Sequence, residues 1–118
     1  MTFPQVQTKT VTSADGTRLH ALAAGDPSKP ALVLIHGFAS SSFAFRAQFA
    51  NQKLLARVRL VAYDVRGNGR SDKPVEPEAY EGKRLAEDFK AVCDAFGVVR
   101  PVVLGWSLGG ASAIFFDA

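Results

Sequence analysis

The sequence predicts an α/β fold in which a mostly parallel sheet is preceded by an N-terminal antiparallel hairpin. Short, continuous apolar runs such as residues 31–36 suit strands that are buried on both faces. The apolar residues between positions 85 and 96 recur instead at helical spacing. Strand-like and helix-like segments alternate along the chain, which is typical of right-handed crossovers in a parallel sheet. The 118 residues are enough for one domain of this kind.

The elements are predicted in the order β-β-β-α-β-α-β-α. Residues 6–11 alternate apolar and polar side chains, and Asp15-Gly16 predicts a turn into a second strand at residues 18–23. Apolar segments predict three further strands, at residues 31–36, 58–64 and 98–106. Spaced apolar residues predict three helices, at residues 40–56, at residues 85–96 with Gly97 as the stop, and from Leu108 onward.

Composition and charge argue against several classes of function. Apolar residues make up 47% of the chain and charged residues 21%, as in ordinary globular domains. The net charge is +3, but the basic residues are spread out and mixed with acidic ones, which favours a solvated surface over a nucleic-acid site. Cys93 is the single cysteine, so it has no partner for an internal disulfide, and helical spacing places it in the core. No apolar run reaches the length of a membrane span, so we expect a soluble, cytoplasmic protein.

The pentapeptide Gly105-Trp106-Ser107-Leu108-Gly109 has the pattern G-x-S-x-G and lies between a predicted strand and a predicted helix. A serine in such a tight turn needs small residues two positions before and after it, so that strand and helix can approach while its hydroxyl projects clear. The pattern therefore predicts that Ser107 is an exposed nucleophile.

Two further segments lie at predicted strand ends. His36-Gly37-Phe38 would leave backbone N–H groups at the carboxyl edge of the sheet, where the amides of Phe38 and Leu108 could together stabilise an oxyanion. An ordinary strand-end turn is the alternative interpretation of these three residues. The segment at residues 64–72, DVRGNGRSD, imitates the start of a dinucleotide fingerprint, but Asp72 stands where the third glycine is needed. We therefore expect a structural turn there, not a phosphate site.

Together, HGF at 36–38, D-x-R-G-x-G-x-S at 64–71 and GWSLGG at 105–110 resemble the N-terminal half of an α/β-hydrolase. The resemblance implies that Ser107 is the catalytic nucleophile and that the Phe38 and Leu108 amides form the oxyanion hole. It also implies a structural role around the site for the remaining motif residues, namely His36, Gly37, Asp64, Arg66, Gly67, Gly105, Trp106 and Gly109. A serine nucleophile resembles esterases, lactonases, C–C hydrolases and cofactor-free haloperoxidases more than epoxide hydrolases or haloalkane dehalogenases, whose nucleophile is an aspartate.

In that family the acid and the histidine of the triad follow the serine along the chain. After Ser107 this sequence offers Asp117 as an acid and no histidine, and neither His20 nor His36 is expected to serve as the base. The resemblance therefore implies that residues 1–118 are the N-terminal portion of a single, incomplete hydrolase domain that ends just after the nucleophile elbow. The apolar strand at residues 98–106 would then be an uncovered edge through which the chain could self-associate.

These observations predict a serine hydrolase that, when complete, acts on an ester-like small-molecule substrate, and that is inactive as these 118 residues alone. The alternative is a non-catalytic protein, either a truncated product or a ligand-binding or interaction module on the same scaffold. We expect no metal, no organic cofactor, and no nucleic-acid or membrane partner.

Overall fold

A computed structural model describes residues 6–37 and 39–106 of the chain. Five strands form one sheet in the order β1-β2-β4-β3-β5. The strands are β1 (Gln7–Thr12), β2 (Arg18–Ala24), β3 (Ala31–Ile35), β4 (Arg59–Tyr63) and β5 (Val102–Gly105). β2 pairs antiparallel with β1 and β4, whereas β3 pairs parallel with β4 and β5, so the sheet is mixed. The predicted α/β fold with an N-terminal hairpin is confirmed.

The two faces of the sheet bury separate apolar cores because side chains alternate between faces along each strand. One core packs beneath the helix α3 (Gly82–Phe96) and includes Val33, Val61 and Val92. The other core includes Leu34 and Leu60 of the sheet together with Phe45, Phe49 and Leu55. Every residue of β4 is buried, as predicted for a strand covered on both faces.

The single helix predicted at residues 40–56 is wrong. The segment forms a 3₁₀ turn at Ser42–Phe45 and two four-residue helices, α1 (Arg46–Phe49) and α2 (Gln52–Leu55). The break has a local cause, because Asn51 takes an extended conformation and its side-chain oxygen accepts the Leu54 N–H at 3.1 Å. An asparagine in that role begins a new helix instead of continuing the old one.

The helix α3 ends where the sequence predicts. Gly97 takes the left-handed conformation, with φ of 65°, and the Val98 N–H donates to the Cys93 carbonyl at 2.8 Å. Cys93 is buried against the sheet, and this burial raises the pKa of its thiol to about 11. Within residues 6–37 and 39–106, no helix is long and apolar enough to cross a membrane.

Candidate active site

The structure brings two of the predicted motifs to neighbouring strand ends. Gly105, the last residue of β5, lies opposite Ile35, the last residue of β3, and the Trp106 N–H donates to the Ile35 carbonyl at 3.1 Å. The chain thus leaves β5 toward the predicted nucleophile at the same edge where it leaves β3 through His36 and Gly37. This edge is the carboxyl end of the parallel strands, where ligands bind in open α/β sheets.

Four of the predicted site residues lie outside the described part of the chain. They are Phe38, Ser107, Leu108 and Gly109, which include the nucleophile and both oxyanion-hole amides. Their roles stay predictions.

His36 is fully buried at the end of β3, and both of its ring nitrogens are occupied. Nδ1 lies 2.7 Å from the Gly37 carbonyl, and Nε2 lies 2.9 Å from the Val65 N–H. A carbonyl can only accept and an amide N–H can only donate, so the ring hydrogen is on Nδ1 and Nε2 is the acceptor. The ring thereby ties the turn after β3 to the segment after β4. It has no free nitrogen with which to take a proton from a serine.

Asp64 follows β4 directly, and its buried carboxylate organises the loops on either side. One oxygen accepts the Ser42 N–H at 2.7 Å and the other accepts the Arg70 N–H at 2.9 Å. Burial acts to raise the pKa of Asp64, but these hydrogen bonds outweigh it and hold the pKa below its ordinary value. A Cβ atom at Gly69, where φ is +52°, would overlap the carboxylate, so this position needs glycine.

Two side chains at the C-terminal end of the turn at residues 64–72 connect it to β2. The Ser71 hydroxyl accepts the His20 N–H at 2.9 Å and donates to the Asp64 carbonyl. The Asp72 carboxylate accepts the Arg18 N–H at 2.8 Å. Asp72, which breaks the dinucleotide pattern, therefore has a structural partner in the hairpin.

Arg66 is buried beneath this turn with all five of its N–H donors engaged. Nε and Nη2 donate to the two Asp88 oxygens at 2.7 and 2.6 Å. Nη1 and Nη2 donate to the Asp15 oxygens at 2.8 and 3.1 Å, and Nη1 also donates to the Ala79 carbonyl at 2.7 Å. Although burial opposes the charge, the two carboxylates raise the pKa of Arg66, and the guanidinium in turn holds the pKa of Asp15 well below its usual range. This network joins the hairpin turn, the turn after β4 and α3.

Asp15 and Asp88 are partners of Arg66 that the sequence motifs do not predict. The sequence predicts Asp15 only as part of an Asp-Gly turn, whereas its carboxylate accepts hydrogen bonds from Arg66 across 51 residues of chain. Asp88 carries a detectable signal, because it lies three residues after Leu85 and four before Val92, on the apolar face of α3. A carboxylate on such a face is buried and therefore needs a cation.

A groove of about 570 Å³ opens beside the 3₁₀ turn, and its walls include His20 and Leu22 of β2 and Phe49 of α1. It lies on the β2 side of the sheet. Ser107 follows β5 instead, and both β4 and β3 lie between β2 and β5 in the strand order. The lining of the groove also includes Asp64, which follows β4 directly, so the groove reaches the carboxyl edge of the sheet on the side away from β5.

Comparison with known proteins agrees with this architecture. The family model for the alpha/beta hydrolase fold matches residues 30–115. "Epoxide hydrolase 4" of Mus musculus is 38% identical over 95 residues, which cover 80% of this chain and 26% of the relative. "Epoxide hydrolase B" of Mycobacterium tuberculosis is 37% identical over 112 residues, which cover 93% of this chain and 31% of the relative.

Solved structures match over nearly the whole chain. A Burkholderia cenocepacia protein assigned as an aryl esterase superposes with a TM-score of 0.87 at 38% identity, over 93% of this chain and 40% of that protein. Epoxide Hydrolase A from Mycobacterium thermoresistibile superposes with a TM-score of 0.81 at 28% identity, over 96% of this chain and 34% of that enzyme. The chain thus spans between a quarter and two fifths of the length of these relatives. With its strand order, its turns and this family match together, the chain belongs to the α/β-hydrolase fold family.

Proposed function

We propose that this chain carries the nucleophile of a serine hydrolase that cleaves ester-like small molecules by acyl transfer. The observation that carries the proposal is the position of the G-x-S-x-G sequence. It begins at Gly105, the end of β5, directly opposite Ile35, after which the chain enters the His36-Gly37 turn. In this proposal the nucleophile after β5 and the amide donor after β3 would lie at the same edge of the sheet.

In the proposed reaction, Ser107 Oγ attacks the carbonyl carbon of the ester while its proton passes to a histidine base. The Phe38 and Leu108 amides stabilise the oxyanion, and the intermediate collapses to an acyl-serine as the alcohol leaves with the proton. Water then hydrolyses the acyl-serine by the same route and restores the free hydroxyl. His36 supports this chemistry indirectly, since its bond to the Val65 N–H holds the turn that leads to Phe38.

An ester suits a serine nucleophile better than an epoxide does, even though several relatives are named epoxide hydrolases. Attack of a serine oxygen on an epoxide carbon would form an ether, which has no acyl carbon at which water could release the product. Attack on an ester forms an acyl-serine that water can hydrolyse. The similarity to a protein assigned as an aryl esterase supports the same choice.

In this proposal the 118 residues are the N-terminal portion of one domain. The histidine base comes from a part of the protein outside them. The sequence has two histidines, and both ring nitrogens of His36 are occupied. His20 lies on β2, three strand spacings from β5, or about 14 Å across the sheet. Proton transfer needs a contact of about 3 Å. We therefore expect no efficient ester turnover by these residues alone.

The test is a fluorophosphonate probe and an aryl ester assay on the intact gene product, with the Ser107→Ala variant. We expect the probe to label Ser107 and the substitution to lower turnover by about a thousandfold or more. Ser28→Ala is the matched control, since Ser28 is exposed and lies at the opposite end of β3 from the site. Equal turnover by the Ser107→Ala variant and the parent would overturn the proposal. An intact mass above that of the 118 residues would support a triad completed later in the chain.

A non-catalytic interaction module is the second candidate function, and the exposed face of β5 favours it. Val102, Leu104 and Trp106 are 66, 55 and 61% exposed, which is unusual for large apolar side chains in and next to one strand. Within the described residues, β5 pairs only with β3 and is an edge of the sheet. Such an edge can pair with a second copy of the chain.

A further inference from the structure

A second buried arginine, Arg59, differs from Arg66 in its hydrogen-bond and ion-pair partners. Arg59 begins β4 and is 9% exposed. Its Nη1 donates to the Phe96 carbonyl at 2.6 Å, and its guanidinium lies 5.7 Å from the centre of the Phe96 ring. Of the five N–H donors of a guanidinium, this leaves four without an acceptor among residues 6–37 and 39–106. No carboxylate in that part of the chain forms an ion pair with Arg59.

The end of α3 offsets only part of this charge. Phe96 is the last residue of the helix, and the negative end of a helix dipole favours a nearby cation. Lys9 already occupies the same end, with Nζ donating to the Ala95 carbonyl at 2.7 Å and lying 5.0 Å from the Phe96 ring. A buried charge is normally paired, because desolvation of an unpaired ion is costly. Among the described residues Arg59 has no anionic partner, and because none of its nitrogens is both buried and unpaired, its remaining donors are open to solvent.

Arg59 lines two clefts at the amino ends of the parallel strands. One cleft of about 420 Å³ is lined by Arg59 together with Lys29 and Arg100, and we call it the basic cleft. The neighbouring cleft, of about 630 Å³, also has Arg59 in its wall. Among the described residues that line either cleft there is no aspartate or glutamate. The nearby Asp26 lines neither cleft; its carboxylate accepts the Ser28 N–H at 2.8 Å and attracts the Lys29 ammonium, so it offsets part of the charge of that lysine.

We propose that the basic cleft binds a phosphate group. Three basic residues in the lining of one cleft, with no acid among the described lining residues, suit a dianion better than a singly charged carboxylate. The planar fork of Arg59 can donate two parallel hydrogen bonds to phosphate oxygens, while Lys29 adds a mobile charge at the rim. The free inorganic ion and the terminal phosphate of a small metabolite share this chemistry.

This site is separate from the proposed hydrolase site. Arg59, Ala31 and Val102 begin β4, β3 and β5, whereas Ser107 follows the opposite end of β5. Five extended residues in β3 span about 16 Å, so the two sites lie at opposite ends of the parallel strands. A phosphate bound here would not enter the ester-cleaving reaction.

The experiment is a titration of the full chain with inorganic phosphate at constant ionic strength, followed by amide chemical shifts. We expect saturable shifts that cluster at residues 28–31 and 97–102, and binding at least about tenfold weaker in the Arg59→Gln variant. Arg57→Gln is the matched control, since Arg57 is exposed, carries the same charge and lines neither cleft. It should bind phosphate like the parent chain.

Two rim variants keep the proposal testable if Arg59→Gln fails to fold. Lys29→Gln and Arg100→Asn should each weaken binding several-fold, and asparagine tolerates the positive φ of 51° at position 100. A phosphate monoester, glycerol phosphate, is titrated in parallel. Tighter binding of the ester supports a metabolite as the ligand, and tighter binding of inorganic phosphate supports the free ion. Linear, unsaturable shifts, or equal losses in the Arg57 and Arg59 variants, would overturn the proposal.

Discussion

Arg66 and Asp88 form a bidentate ion pair inside the protein, with Nε to Oδ2 at 2.7 Å and Nη2 to Oδ1 at 2.6 Å. Their side chains are 0 and 1% exposed. The pair joins α3 to the turn that begins at Asp64. Breaking it should therefore affect stability more than any surface ion pair in the described chain.

We predict that Asp88→Asn lowers the free energy of unfolding by about 3–5 kcal/mol, because it leaves the Arg66 charge buried with one carboxylate instead of two. Asp94→Asn is the control on the same helix, since Asp94 pairs with Lys90 at 2.7 Å on the exposed surface. That substitution should change stability little. Urea unfolding of both variants gives the comparison, and similar losses in the two would contradict a special role for the buried pair.

Lowering the pH should weaken the hydrogen-bond network of Arg66, because the Asp15 carboxylate becomes protonated. Arg66 holds the pKa of Asp15 well below its usual range in the folded chain, whereas the unfolded carboxyl titrates near its ordinary pKa of about 3.9. A depressed folded pKa gives stability that is present above the unfolded pKa and is lost as the pH falls below it. We predict that the urea midpoint falls between about pH 5 and pH 2, and that Asp15→Asn makes this fall shallower.

The measurement compares urea midpoints at several pH values in that window. Glu76→Gln is the control, because Glu76 is exposed and lies in a loop. It should leave the slope unchanged. Parallel slopes for Asp15→Asn and the parent chain would show that the Arg66 pair does not contribute to acid sensitivity.

The sequence predicts most of the strands well because their signals are local, but the last strand, predicted at residues 98–106, spans only Val102–Gly105. Continuous apolar runs place β3 and β4 within two residues of their observed bounds, and the Asp15-Gly16 turn places the hairpin. The break between α1 and α2 is also local, but it depends on whether Asn51 caps a new helix or continues the old one. Composition and spacing do not decide between those two conformations.

The partners of the motif residues could not be predicted in the same way. His36 is a recognisable motif residue, yet its bond to the Val65 N–H joins positions 29 residues apart. Arg66 reaches Asp15 across 51 residues. Such contacts depend on strand order, and the order β2-β4-β3 follows from the fold rather than from any short pattern. The motifs therefore predict which residues belong to the candidate site, but they do not predict which residues these contact.

Gly69, in the turn after β4, should be harder to replace than Gly16 of the hairpin turn. We predict that Gly69→Ala destabilises the chain about 1–3 kcal/mol more than Gly16→Ala does. Both glycines have positive φ, +52° and +88°, so both variants suffer backbone strain. A Cβ at position 16 meets no atom within 4 Å, whereas a Cβ at position 69 overlaps the Asp64 carboxylate. Backbone strain alone would give the opposite order, because +88° lies farther than +52° from the left-handed region that L-residues occupy. A larger loss at position 69 therefore reports the contact with the carboxylate, and equal losses would show that the carboxylate can move aside.

The exposed face of β5 should drive self-association of the 118-residue chain. Leu104, 55% exposed, pairs with Leu34 of β3 and has no strand on its other side among the described residues. We predict that Leu104→Lys shifts the chain toward monomer in sedimentation velocity, because a charge on an edge strand opposes pairing with a second edge. Val75→Lys is the control, since Val75 is 87% exposed but lies in a loop away from the sheet edge. Equal shifts in both variants would mean that general charge repulsion, rather than the β5 edge, controls association.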